Sequence, residues 1–401
     1  MLKNKNIIIG VAAGIACFKV VDLISNLRMY NLEIIMTKEA LNLISPLEFE
    51  RASGNKVSVN MFRKGFDYKD YIKQQKMNHI SLADKADIIV IAPATANLIG
   101  KLANGIADDL LTTTVMASDA PVLVCPSMNT KMWQNPVVQE NVSKLRKIGY
   151  YFVEPEYGKL ACGYEGVGRL ADIKKIKDEI IIIVENKDSL KGRKIIVTAG
   201  ATSEEIDPVR VITNKSSGKT GVYIAEEFSK RGASVTLIHG NIKTEPKGKI
   251  SSIKINNADE LYKAIKDNIK NSDIIVHSAA VSDFTVKKQK KKISSNKNIT
   301  LKLKKSRKII KEIKKLNNDI FLVGFKAECD IGDNRLIEDA YKTLKESNCD
   351  LIAANDIGKY HFEGTNEVFL VDKNKHVKHL KKDDKRVIAR QIVDYIIEKI
   401  K

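Results

Sequence analysis

Long apolar runs are missing from this 401-residue chain; none approaches the roughly 20 residues a membrane-spanning helix needs. A helical membrane protein is excluded. Met1-Leu2-Lys3-Asn4-Lys5-Asn6 leads straight into "IIIGVAAG", too short and too strand-like for a secretory h-region, so a cytoplasmic location is expected. Cysteine is scarce. Cys17, Cys125, Cys162, Cys329 and Cys349 form an odd set without CxxC spacing, which argues against a disulfide framework and a zinc site but leaves a catalytic thiol open. Aromatic residues make up 6% of the chain, and Trp133 is its single tryptophan. The formal charge is +19, yet most of it is lysine dispersed along helix-like stretches rather than arginine interleaved with aromatics. No nucleic-acid partner is expected from that pattern. A basic chain also suits small anionic ligands such as nucleotides and phosphorylated substrates.

What is present is enough apolar material, 43% of residues, for two domains of ordinary size. "NKNIIIGVAAGIACFKVVDLISNLRMY" reads as a buried strand, a small-residue turn and an amphipathic helix, and "GRKIIVTAGATSEEIDPVR" begins the same way from residue 192. Each opening sets backbone N–H groups where a phosphate can sit, although neither carries the full GxGxxG fingerprint. Further short apolar runs, "ADIIVIAPAT", "APVLVCPSMN", "ASVTLIHG", "SDIIVHSAAVSD", "DIFLVGFKAE" and "CDLIAANDI", end in small or polar residues and alternate with helical patterns. The fold class that follows is α/β with two Rossmann-like doubly wound domains. Sites in such sheets lie at the carboxyl ends of strands, which points to Pro93–Asn97, Ser127–Asn129 and Ala279–Asp283. The charged stretch "ENKDSLKGRK" sets the boundary, giving domains 1–187 and 188–401.

Four features of the first half occur in order: "GVAAGIACFK", "MNHISLADKADIIVIAPATANLIGKLANGIADDLLTT", "PSMNTKMWQNP" and "GKLACGYEGVGRLAD". Together they resemble the flavin-dependent cysteine decarboxylases, specifically phosphopantothenoylcysteine decarboxylase, a flavodoxin-like flavoprotein. The chemistry explains why such an enzyme needs a cofactor. A cysteinyl carboxylate cannot simply lose carbon dioxide, because the carbanion left beside an amide nitrogen has nothing to delocalise it. An oxidised flavin can take a hydride from the carbon bearing sulfur, and decarboxylation then yields a stabilised enethiolate. The resemblance implies His79 as acid/base, Asn129 as the amide for the substrate carboxylate and Cys162 as the final proton donor. It also implies that Gly10, Ala13, Gly14 and Ile15 cradle the phosphate of FMN, with Thr37 beside it and Thr95, Asn97, Ser127 and Met128 lining the cofactor. Read alone, His79 is equally a helix-start histidine and Asn129 a turn-closing side chain. The other four cysteines fall in apolar or strand-like settings and are expected to be structural. In the family the flavin lies between subunits, so homo-oligomers built from trimers, extending to dodecamers, are implied.

"TAGATSEEIDPVRVITNKSSGKTG", "SAAVSDF", "VGFKAE" and "LIAAND" resemble phosphopantothenate-cysteine ligase from about residue 190 onward. The order of the halves matches the fused bifunctional enzymes of coenzyme A synthesis. The implied reaction joins phosphopantothenate to cysteine through an acyl-cytidylate made from CTP, with Mg2+ accompanying the triphosphate; its metal ligands cannot be named. Gly200, Ser216, Ser217, Gly218 and Lys219 suit phosphate groups. Asn214 is expected to hold the intermediate, Asp283 and Phe325 to belong to the nucleotide site, Ala279 and Ala280 to line the pocket, and Arg210 to shape the phosphopantothenate side. The chain departs from the family at the Lys-X-Lys-Lys flap, where it reads Lys292-Ile293-Ser294-Ser295. Lys292 is the best match for the phosphate-contacting lysine, with Lys290 and Lys291 as substitutes. Cys329 stands where a threonine is usual. These departures leave CTP against ATP open, together with a second reading, an FMN-binding regulatory or interaction module with weakened or absent ligase activity.

Overall fold

The computed structural model describes residues 5–62, 78–163, 165–294, 296, 298–359 and 364–400. The chain divides into two compact units, Met1–Asn186 and Lys187–Lys401.

In the first unit, β1 (Asn6–Val11), β2 (Asn31–Met36), β3 (Val57–Ser58), β4 (Ile88–Ala94), β5 (Val122–Pro126) and β6 (Tyr151–Phe152) form a sheet of order β3-β2-β1-β4-β5-β6. All its neighbours run parallel. Every residue of β4 and β5 is buried, as expected of strands covered by helices on both faces. The side chains of β1 alternate between two cores. Ile7, Ile9 and Val11 join one with the helix Cys17–Asn26, while Ile8 joins the other with Leu98, Leu111 and Trp133. That helix buries Cys17, Val20, Leu23 and Ile24, one face at helical spacing. The strand order is the Rossmann one, with the reversal between β1 and β4, and it refines the flavodoxin-like expectation for this half. A separate hairpin of β7 (Glu156–Lys159) and β8 (Glu165–Arg169) follows.

The second unit repeats the plan. β9 (Lys194–Ala199) opens it; β10 (Ser203–Glu205) and β11 (Val211–Thr213) form a small hairpin, and β12 (Ser234–His239), β13 (Ile250–Lys254) and β14 (Ile274–His277) follow. Next come a second hairpin of β15 (Phe284–Val286) and β16 (Leu303–Lys305), then β17 (Phe321–Glu328), β18 (Leu351–Asp356), β19 (Thr365–Asp372) and β20 (Val377–Asp384). The main sheet has the order β13-β12-β9-β14-β17-β18-β19-β20. Six strands are parallel, and the reversal falls between β9 and β14. β19 and β20 add an antiparallel edge that the sequence reading left out. Asp372 nucleates their turn by accepting from the amides of Asn374 and His376, and the exposed Lys378, Lys381 and Lys382 on β20 keep another strand from pairing there.

Candidate active sites

In the first unit the predicted cofactor residues collect where β1 and β4 diverge. Gly10, next to the end of β1, faces the helix Leu110–Ala117; a Cβ there would lie 2.4 Å from Leu111 Cδ1. Ala13, Gly14 and Ile15 form the loop that follows. A Cβ on Gly14 would meet Pro93 at 3.1 Å and Thr95 at 3.8 Å, so this loop and the end of β4 share one floor. The amides of Ala13 and Ile15 have no hydrogen-bond partner among the described residues, and Ile15 is exposed. Thr37 is tied in by its amide to Val11 O at 3.0 Å, yet its buried Oγ1 has no partner among the described residues. Thr95 caps the helix Ala96–Ala103 by accepting from the Leu98 amide, and Asn97 is exposed in that helix's first turn. Ser127 joins the end of β4 through its amide to Ala94 O at 3.0 Å. These are the features of an anion cradle: free amides, a small-residue floor and a hydroxyl awaiting a partner.

Asn129 and Cys162, 33 residues apart, meet: Asn129 Nδ2 donates to Cys162 Sγ at 3.1 Å. Asn129 also caps the short helix Thr130–Trp133, with Oδ1 accepting from the Lys131 amide at 2.9 Å. Its Oδ1 closes the turn, while its Nδ2 is engaged with the thiol. Trp133 is buried and anchors the loop, whereas Met132 is exposed. The hairpin holding Cys162 lies directly on this loop, with Met128 N donating to Gly168 O at 2.9 Å. Side chains at Gly166 or Gly168 would overlap Thr130 Oγ1 and Met128 O, at 2.3 and 2.1 Å. Those two glycines were missed by sequence reasoning; their alternate spacing in "EGVGR" was the signal. His79 is half-buried in the first turn of the helix Asn78–Lys85, and among the described residues no hydrogen bond links it to Asn129 or Cys162. Of the remaining thiols, Cys17, Cys125 and Cys349 are buried, and burial pushes all three up, Cys349 to about 12. Cys329 is exposed rather than in an apolar setting, because it lies just beyond the end of β17, where its thiol donates to Asp330.

In the second unit the loop after β14 is pinned along its length. Thr198 Oγ1 accepts from the Ala279 amide at 3.1 Å, Gly200 O from the Ala280 amide at 2.8 Å and Thr202 Oγ1 from the Ser282 amide at 2.9 Å. Asn214 completes the pinning, its Nδ2 donating to Ala280 O at 3.3 Å and Val281 O at 3.1 Å. Below the loop, His277 is buried against Thr198, and burial lowers it to about 4, so the imidazole is neutral. Asp283 pairs at 2.5 Å with Lys308, and both are exposed. Phe325 packs half-buried against the core of this unit.

Ser216 and Ser217 lead into Gly218, whose φ of 69° caps the helix Lys219–Lys230. Lys219 opens that helix near Lys385, which is pushed below the ordinary lysine range first by burial and then by Lys219. An anion seated between them would relieve the repulsion. Lys385 carried no sequence signal, since only folding brings the start of the last helix to this loop. Arg210 does not stand free for a ligand: Nη1 donates to Asp207 Oδ2 at 2.8 Å and to Ile293 O at 3.1 Å. Among the described residues no three His, Cys, Asp or Glu side chains converge as a metal site.

Gly200 adopts φ +75°, and a Cβ there would sit 2.3 Å from Asn241 O; Gly192 has φ +86° but open space around it. Gly192→Ala should therefore lose only the left-handed preference, about 1–2 kcal/mol. Gly200→Ala should lose that and a backbone clash as well, at least about 2 kcal/mol more than the Gly192 variant in denaturant unfolding. Equal losses would contradict the tight packing of this loop.

Residues 1–185 match the family model described as Flavoprotein, and residues 190–400 match that of the DNA/pantothenate metabolism flavoprotein C-terminal domain. The chain is 40% identical over 412 residues to the coenzyme A biosynthesis bifunctional protein CoaBC of Bacillus subtilis (strain 168), covering 99% of this chain and 97% of that protein. The protein of the same name from Borreliella burgdorferi is 39% identical over 98% of this chain and 99% of its own length. That of Thermococcus kodakarensis is 38% identical over 98% and 95%. With both halves matched in the same order at nearly full length, the chain belongs to the family of coenzyme A biosynthesis bifunctional proteins.

Proposed function

We propose that the second unit joins phosphopantothenate to cysteine with CTP through an acyl-cytidylate, and that the first unit decarboxylates the resulting phosphopantothenoylcysteine to phosphopantetheine. The observation that carries the reading is the Asn129–Cys162 contact, because it joins an amide suited to a carboxylate with a thiol suited to deliver a proton. FMN is the resident cofactor of this reading. The amides of Ala13 and Ile15, unpaired among the described residues, suit its phosphate, and the hydroxyl of Thr37, without a partner among them, offers it a hydrogen bond. When bound, FMN supplies the electron sink that the cysteinyl carbon lacks.

The chain supplies orientation and protons. Asn129 Nδ2 has a second hydrogen with which to hold the substrate carboxylate while the first stays on sulfur. Since Cys162 Sγ accepts that bond, its own proton remains available to finish the product. His79 serves as acid/base from a neighbouring protomer, since among the described residues no hydrogen bond links it to Asn129 or Cys162. Trimers, with dodecamers as a higher assembly, are the corresponding oligomers, and the exposed Ile15 and Phe18 beside the cradle offer apolar surface for them. In the second unit both loop carbonyls near the pocket consume the Nδ2 donors of Asn214, leaving Oδ1 to meet the intermediate. Lys219, Lys385 and the Ser216–Gly218 turn receive the nucleotide phosphates. Mg2+ would accompany the triphosphate and offset its charge. The substrates are small and water-soluble, and no helix of the described residues is long and apolar enough to cross a membrane; a cytoplasmic location fits both.

The test incubates the purified chain with phosphopantothenate, cysteine, Mg2+ and either CTP or ATP, identifies products by mass and records the flavin absorbance. Phosphopantetheine made with CTP is the expected product. A yellow protein that makes nothing would instead favour an FMN-binding module without ligase activity. His79→Asn should cut carbon dioxide release by about 100-fold or more with ligation intact. Asn214→Asp sets a carboxylate against two carbonyl oxygens and should impair ligation alone; loss of both activities in either folded variant contradicts the two-site assignment. Thr37→Val removes a buried hydroxyl without a partner, so it should raise the stability of the flavin-free chain by about 1 kcal/mol while weakening flavin retention. Unchanged flavin affinity would remove Thr37 from the site.

A further inference from the structure

The lysine-rich segment between β15 and β16 is held to the "IDPVR" turn between β10 and β11. Asp207, 1% exposed, is the centre of the attachment. Its Oδ1 accepts from the amides of Val209 and Arg210, both at 2.8 Å, which closes the turn. Its Oδ2 accepts from Arg210 Nη1 at 2.8 Å and from the Ile293 amide at 3.0 Å. Arg210 also holds the peptide group that follows, donating to Ile293 O, so residue 293 is gripped at both its donor and its acceptor. A second tie lies four residues earlier, where the Gln289 amide donates to Ile206 O at 2.8 Å, next to an ion pair between Lys288 and Glu205.

Between the two ties lie Lys290, Lys291 and Lys292. All three are exposed, and none has a hydrogen bond or ion pair among the described residues. Three ammonium groups on a three-residue arc repel one another, and an untethered loop would spread them into solvent. The turn that holds them continues directly into β11 and Asn214, while the segment itself leaves the pinned loop at Asp283 and returns where the Ser306 amide donates to Asp283 O. One buried carboxylate thus fixes the lysine arc and the strand leading to Asn214 in a common frame.

We propose that Asp207 is a positioning residue for ligation, holding the Lys290–Lys292 arc in register with Asn214 so that its cations meet the nucleotide phosphates without a separate ordering step. The proposal rests on the ligase reading of the second unit. It also accounts for the departure at Ser294 and Ser295: where the arc is anchored from behind, cations before the anchor take the place of those usually found after it. The amide of Ile293, with those of Val209 and Arg210 and the Arg210 guanidinium, holds Asp207 down to about 2. A carboxylate lowered in this way contributes above its unfolded value near ~3.9 and loses that contribution as pH falls toward 2, so the anchor is constant from about pH 5 upward.

The experiment compares the full chain with Asp207→Asn and with Ile293→Pro, which removes the amide hydrogen that meets Asp207 while leaving the carboxylate in place. Ligation with CTP, decarboxylation of supplied phosphopantothenoylcysteine, thermal melting and tryptic cleavage within residues 287–292 are measured at pH 7.5, on the order of physiological pH. In the folded variants, ligation kcat should fall by about tenfold or more with the KM for cysteine unchanged, and decarboxylation should stay at the wild-type rate. Tryptic cleavage of the arc should speed up by about tenfold below the melting transition. Wild-type kcat in a folded variant whose arc is cleaved faster would overturn the positioning role. Wild-type protection in both variants would overturn the anchor itself. If the unaltered chain makes no phosphopantothenoylcysteine, the ligase reading fails, and the proteolysis still decides whether Asp207 holds the arc.

Discussion

A parallel strand covered on both faces has room for a polar side chain only where a partner satisfies it, as Thr198 and His277 satisfy each other, because every uncompensated polar group buried there costs free energy that backbone pairing cannot return. This constraint organises both halves of the chain. β4 and β5 are buried from end to end, and β9 and β14 nearly so. Chemistry is therefore confined to the places where strands end, and it concentrates where neighbouring connections leave on opposite sides, between β1 and β4 and between β9 and β14. The small residues at these points are a consequence. Gly10, Gly14, Gly200 and Gly218 allow loops to approach within distances that a Cβ would forbid.

The two halves meet the same problem, fixing a loop beyond the sheet, with different means. In the first half a hairpin is laid on a loop by glycine contacts, and the Asn129 side-chain amide reaches across the junction to Cys162. In the second half, hydroxyls of Thr198 and Thr202 and the amide of Asn214 take up the polar groups of the loop after β14 one by one. Neutral side chains do this work, which leaves the local field to be set by Lys219, Lys385 and the lysine arc. The anchoring charges, Asp207 with Arg210, are satisfied within themselves and add little net field.

The excess positive charge has more than one use. Lysines along β20 protect a sheet edge, those at Lys290–Lys292 stand unpaired among the described residues on an anchored arc, and others form ordinary ion pairs such as Lys314 and Lys373 with Asp350. Composition alone weighed them equally; position separates them.

The sequence by itself determined the two-part α/β plan, since apolar runs of strand length alternating with amphipathic helices have few other ways to bury their faces. It determined too which small and polar residues stand at strand ends, because period and run length mark where a strand must stop. The "PSMN" and "ACG" stretches were legible as separate motifs for that reason. Their contact was not, since 33 residues separate Asn129 from Cys162 and nothing local encodes a hydrogen bond across that span. The antiparallel edge of β19 and β20, the approach of Lys385 to Lys219 and the grip of Asp207 on Ile293 were likewise decided by tertiary structure. Each depends on long-range burial that sets which groups lose water and must find partners in the chain.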